Sequence, residues 1–249
     1  MKRKVQILVS LFLAAVLLSA CQRKGPSMQP MEMGDYRVRL DSAVADPYNR
    51  VVRYALTRRD GGQIDPDAYF DTMESMASGD FAYIPSPDGK TIWLEERMSR
   101  GRASEKTWVY TLTLGELTVG GEVLKETCSA RCEIPVTYQM TQLLEQKREF
   151  QLPQGQMCTL TCAEISPLGL HLEMEAPIME SGELNRQTSL SVVMDDGVVI
   201  DLDDKHMSSH WKEGDEKRLV TCEVIFEKDF DLTKADRLVL CGIIIPIVK

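Results

Sequence analysis

The chain has 249 residues and a formal charge of −9, with 38 acidic side chains against 29 basic ones. A surface of that sign repels nucleic-acid phosphates, and no Lys/Arg-rich stripe offsets it, which argues against a nucleic-acid partner. The length allows one large domain or two of ordinary size.

The first element is a targeting segment. Lys2, Arg3 and Lys4 precede an apolar run from Ile7 to Ala20, which ends in Leu18-Ser19-Ala20-Cys21. A cationic start, a short apolar centre and small residues before the cut describe a secretory signal over 1–20. The run of 14 residues is shorter than the roughly 20 that span a bilayer, and Arg23 and Lys24 follow it directly. Leu18-Ser19-Ala20-Cys21 resembles the lipobox of bacterial lipoproteins, which implies cleavage before Cys21 and a thioether-linked lipid on its sulfur. The expected location is the extracytoplasmic face of the cell membrane, held by acyl chains such as palmitate at about 0.8 kcal/mol per buried methylene. Loss of 1–20 removes three cations and no anion, taking the formal charge to −12.

Residues 21–35 read as a lipidated tether, because Gln22 to Gly34 is polar, contains Pro26 and Pro30 and lacks periodicity. A first β-sandwich domain is expected over 36–140. Tyr36, Val38 and Leu40 alternate with Arg37, Arg39 and Asp41, Asp46-Pro47-Tyr48-Asn49 supplies a turn, and Val52, Tyr54 and Leu56 resume the alternation. Asp65-Pro66 followed by Tyr69, Met73, Met76 and Ala77, with Gly79 as a stop, predicts one short helix. Asp88-Gly89 turns into a strand from Thr91 to Glu96, Trp108 to Leu114 forms an apolar face, and a strand lies within Glu126 to Tyr138. Met140, Leu143, Leu144 and Lys147 suggest a helical connector at the boundary.

A second β-sandwich domain is expected over 141–249. Leu168, Leu170, Leu172 and Met174 alternate strictly with Gly169, His171, Glu173 and Glu175, which places His171 on a solvated face. Leu190 to Met194, Asp195-Asp196-Gly197 and Val198 to Leu202 make a hairpin. Val220 to Phe226 and Leu238 to Ile247 supply the last strands. Many short strands with turn signals between them indicate an all-β chain of sandwiches.

Beyond Cys21 there are six cysteines, an even number that invites disulfides in an exported protein. Cys128 and Cys132, like Cys158 and Cys162, stand about 13 Å apart on a strand, too far to bridge. Each falls on the apolar side of its alternation, as does Cys222, which favours buried thiols over cross-strand disulfides; Cys241 completes the six.

Several segments carry a resemblance: Val38 to Thr57, Thr111 to Leu117, Ile134-Pro135-Val136-Thr137-Tyr138, Ser166-Pro167-Leu168, Asp196-Gly197, and Asp231-Leu232 through Ile245-Pro246-Ile247. In this order they are similar to the uncharacterised β-sandwich ectodomain family of anti-sigma-factor-like proteins of Gram-positive bacteria. The resemblance implies two immunoglobulin-like β-sandwich domains in tandem and brings no catalytic residues with it. Such relatives cross the membrane, whereas a lipid on Cys21 reaches only one leaflet, so any part in envelope signalling would run through a second protein.

No hydrolase elbow, zinc-protease pattern or phosphate loop occurs, so no catalytic residue, cofactor or metal ligand is assigned. Gly89-Lys90-Thr91 and Ser209-x-x-Lys212 are fragments of larger motifs whose other parts are missing. Glu95-Glu96 and Asp203-Asp204 read as surface charge, since strand neighbours face opposite ways. Trp93 and Trp108 read as core rather than as a sugar groove. The expected function is binding or scaffolding at the cell envelope, through loops or strand edges, with an envelope protein or wall polymer as partner. The alternative is a metal-binding or hydrolytic lipoprotein built on His206 and His210 with Asp201, Asp203 and Asp204, which needs a helical turn to bring both imidazoles to one side.

Overall fold

The structure, a computed structural model, describes residues 25–74, 80–99, 103, 106–180, 182–202, 205–210, 216–227 and 230–247, with the backbone alone at 80 and 205–210. The signal segment, Cys21, Met76, Ala77 and Gly79 of the expected helix, Asp203, Asp204 and Lys212 lie outside the described residues.

Strands dominate the chain. The first half holds β1 (Ser27–Met28), β2 (Met31–Met33), β3 (Tyr36–Ala45), β4 (Arg50–Arg58), β5 (Tyr69–Phe70), β6 (Met73–Glu74), β7 (Asp80–Pro85), β8 (Thr91–Met98), β9 (Thr107–Leu114), β10 (Leu117–Val119), β11 (Glu122–Leu124) and β12 (Cys128–Pro135). The second half holds β13 (Thr141–Gln142), β14 (Arg148–Gln151), β15 (Met157–Ile165), β16 (Gly169–Pro177), β17 (Leu190–Met194), β18 (Val199–Asp201), β19 (Lys205–His210), β20 (Lys217–Ile225), β21 (Ala235–Leu240) and β22 (Ile243–Pro246), with, among the described residues, one α-helix, α1 (Glu183–Gln187), and one 3₁₀ turn (Leu232–Lys234).

All pairings among them are antiparallel. In the first half β2-β3-β4-β8-β7 form one sheet, β1-β12-β9-β6 a second, and β11-β10-β5 a small third. In the second half β13-β15-β16-β20-β19, with β14 also on β15, form one sheet and β18-β17-β21-β22 the other. Buried apolar side chains gather in two clusters, one drawn from residues 31–136 and one from 144–247. The alternation makes each cluster: Val52, Tyr54 and Leu56 of β4 meet Trp108, Tyr110 and Leu112 of β9 across the first core, while Leu170, Leu172 and Met174 of β16 enter the second. Each such side chain contributes about 1.5–3 kcal/mol on burial.

Four expectations are corrected. Strands begin at Ser27, inside the stretch read as tether, because Met31 and Met33 bury against the first core. Asp65 does not cap a helix: its Oδ1 accepts from Asp67 N at 2.9 Å in a local turn, and β5 and β6 follow in extended form. The connector after Met140 carries β13 and β14, which complete a sheet edge by pairing with β15. A bulge between Leu160 and Cys162 shifts the alternation, so Ala163 turns inward and Cys162 is left half-buried.

Candidate functional site

Two X-Pro turns meet where the halves touch. Asp46, buried, accepts from Tyr48 N at 2.7 Å and Asn49 N at 2.6 Å, which folds the Asp46-Pro47-Tyr48-Asn49 turn on its own carboxylate. Ser166 does the same for Ser166-Pro167-Leu168-Gly169, its Oγ accepting from Leu168 N at 2.9 Å and Gly169 N at 3.2 Å. The Ser166 hydroxyl then donates to Asp46 Oδ2 at 2.5 Å. Trp108 Nε1 donates to the Asp46 carbonyl at 2.8 Å, tying the junction to the first core. Gly169 is required by close approach: a Cβ there would stand 2.1 Å from the Val224 carbonyl oxygen and 2.8 Å from Asn49 Nδ2. Thr137 N and Tyr138 N both donate to the Ala45 carbonyl, at 2.7 and 3.0 Å.

Beside this junction the halves enclose a cleft of about 360 Å³. One wall is the outer face of the β3-β4-β8 sheet. Register places Ser42, Arg53 and Glu95 in one row across β3, β4 and β8, with Val44, Val51 and Arg97 in the next. The facing wall brings Pro167, Leu168, Phe226 and Phe230 from the second half, with Tyr138 and Glu227 also at its edge. Phe226 and Phe230 stack at 3.9 Å.

The polar wall is prearranged. Glu95 takes Arg53 Nη2 at 2.6 Å and Arg97 Nε at 3.1 Å. Burial works to raise its carboxyl, but the hydrogen bonds from both guanidiniums outweigh that and hold it below the ordinary carboxylate range. Two guanidiniums on one carboxylate leave an excess positive charge on that wall, which Glu227 at the edge balances across the cleft as a whole, opposite flat apolar surface. Such a site takes a ligand with a polar edge and a flat or apolar body. A broader groove of about 810 Å³ runs beside β1 and β12, but its charged side chains are already paired, Arg131 with Glu133 at 3.0 Å and Glu32 with Arg37 at 2.7 Å.

A second polar cluster is sealed in the first core. Arg50 and Glu96, both fully buried, pair at 2.9 Å, and the guanidinium lies 3.9 Å over the Tyr110 ring. Tyr54 donates to Glu96 Oε2 at 3.3 Å and meets the Tyr110 hydroxyl at 2.5 Å. Burial pushes both phenols well above their ordinary range, so they stay protonated as donors.

The residues singled out by sequence fall as follows. Glu95 and Glu96 do face opposite ways, yet neither is surface charge: one lies under the cleft and the other in the core. Trp108 is core, whereas Trp93 is half-buried on the outer sheet face beneath Arg53, 5.6 Å from the guanidinium carbon to the ring. His171 is buried rather than solvated, because Tyr48 of the first half stacks on it at 3.6 Å. His206 and His210 lie four residues apart on one strand, β19, rather than on a helical turn, which separates their backbones by about 13 Å. Among the described residues Cys132, Cys158 and Cys222 are buried thiols and Cys128, Cys162 and Cys241 half-buried ones. Sequence reasoning missed Arg53, Arg97 and Phe230. Nothing local marks them, since they converge only through pairing and the docking of the halves. Arg50 and Glu96 did carry a signal, each being a charge in the inward register of an otherwise apolar strand face.

No family model and no curated protein matches the chain. Among solved structures, it is similar to the crystal structure of a conserved domain protein from Bacillus anthracis, with a TM-score of 0.51 and 10% identity over 85% of this chain and 74% of that one. At that identity the likeness concerns fold alone. Among the described residues no helix is long and apolar enough to cross a membrane.

Proposed function

We propose that this chain is a lipid-anchored binding protein of the extracytoplasmic membrane face, with two immunoglobulin-like β-sandwich domains in tandem and a ligand cleft between them. It works by recognition rather than catalysis, on an envelope protein or wall polymer, and any link to sigma-factor signalling of the anti-sigma-factor type passes through a second, membrane-spanning protein. The tandem reading draws on two hydrophobic cores, each built between antiparallel sheets. The anchor draws on Leu18-Ser19-Ala20-Cys21.

The observation that carries the binding reading is the Arg53–Glu95–Arg97 wall facing Phe226 and Phe230 across a cleft that buried hydrogen bonds hold open. A preformed site loses little conformational freedom on binding, and a lipid anchor confines it near its partners. The test is photocrosslinking in intact cells, with a benzophenone amino acid replacing Phe230 in the cleft or Ile244 outside it. Adducts from position 230 that weaken with Arg97→Ala support the reading. Equal yields from both positions, or none from 230, contradict it.

A further inference from the structure

We propose that Arg218 anchors a binding site for an oxyanion, a carboxylate or a phosphate, at the end of the second core where the chain passes from β16 to β17. Arg218 is the second residue of β20, and by period two it shares the inward side of that strand with Val220, Cys222 and Val224, which belong to the second core. Ala176 stands opposite it on β16 and is small enough to leave the long side chain room.

The guanidinium keeps its charge at any ordinary pH, yet the residue is only 5% exposed. Its pairing is one-sided. Nη1 donates to the Met179 carbonyl at 3.4 Å. Nε is sealed from solvent without an acceptor, and among the described residues Nη2 meets no acceptor and Arg218 no carboxylate. Nε and Nη2 make up the edge of a guanidinium that takes two oxygens of one carboxylate or phosphate through parallel hydrogen bonds, so the free edge is the one shaped for such a ligand. A charge taken out of water without a counter-charge is strongly disfavoured, and a bound oxyanion supplies that counter-charge.

Two neighbours describe the same end. The Cys158 thiol, 1% exposed, responds to Cys241, Lys217 and Arg218; both cations favour its charged form, and no carboxylate acts on it. Cys241 in turn directs Sγ to the Gln187 carbonyl at 3.8 Å, and Gln187, 8% exposed, has its own side-chain oxygen sealed without a donor. A positive field with an unsatisfied acceptor nearby suits an oxyanion that retains a proton or carries a hydroxyl.

The test is thermal unfolding of the full chain in detergent at pH 7.5, with sodium phosphate or sodium acetate replacing sodium chloride at constant ionic strength. With at least one of the two anions the wild type should show a saturable rise in Tm of about 5 °C at roughly 100 times the Kd, and the anion that gives it identifies the class bound. Arg218→Met, which keeps an apolar stem and removes the charge, should lose that rise. Arg218→Lys keeps the charge without the fork and should lose most of it; this variant decides if Arg218→Met fails to fold. Arg131→Met, at an exposed position of β12, should respond as the wild type does. No rise in the wild type, or an equal rise in the Arg218 variants, as general salting by phosphate would give, overturns the site. None of these residues lines the cleft, so that failure would leave the cleft reading untouched.

Discussion

Asp46 and Ser166, 120 positions apart, share a 2.5 Å hydrogen bond with both side chains buried. Each is the residue that folds its own X-Pro turn, so one bond joins two local structures beside the cleft. Ser166→Ala removes a donor to a carboxylate and the acceptor of two backbone N–H groups. It should cost about 2 kcal/mol, read as a lower urea midpoint at unchanged slope.

Gly169→Ala tests the closeness of the halves. Its Cβ would meet the Val224 carbonyl at 2.1 Å, with backbone on one side and Asn49 on the other. The expected cost is about 1–3 kcal/mol of unfolding free energy, because strand β20 or the Asn49 turn must shift.

The ion pair in the first core should respond asymmetrically. Glu96→Ala takes away the carboxylate 2.9 Å from a fully buried guanidinium and should destabilise by about 3–5 kcal/mol. Replacing both partners with apolar residues, Arg50→Met with Glu96→Leu, should cost less than Glu96→Ala alone in the same denaturation assay.

Two titrating groups set opposite edges of a stability–pH profile. Glu95 is depressed in the folded state, so its contribution is present above the unfolded carboxylate range and is lost as pH falls through the folded value. Glu95→Gln should flatten the acid limb of the profile. Burial, reinforced by Cys241, pushes the Cys158 thiol up to about 11, so its contribution is present below the unfolded thiol range and is lost as pH rises toward 11. At pH 8 iodoacetamide should leave Cys158 unmodified in the native protein and label it in denaturant, as mass spectrometry of peptides would read.

What the sequence made legible follows from what alternation encodes. It marks which strand face is apolar, and so it located β3, β4, β8, β9, β16, β17 and β20 and the Asp196-Gly197 hairpin turn, where Gly197 has φ 87°. It does not say what covers the polar face. His171 sits on such a face and is buried because Tyr48 arrives from 123 positions upstream. The same limit hid the cleft, whose Arg53 and Arg97 look like ordinary outward charges until Phe230 is brought opposite them. Asp65-Pro66 misled for a local reason: an Asx turn and a helix start share their first residues, and only the following chain decides between them.

Export and anchoring are decided most directly at Cys21, by metabolic labelling with an alkyne palmitate analogue followed by membrane fractionation. The wild-type chain should carry the label and sediment with membranes, and Cys21→Ser should lose both properties together. An unlabelled wild-type chain, or label and membrane association that persist in Cys21→Ser, would contradict a lipid-held protein outside the cell.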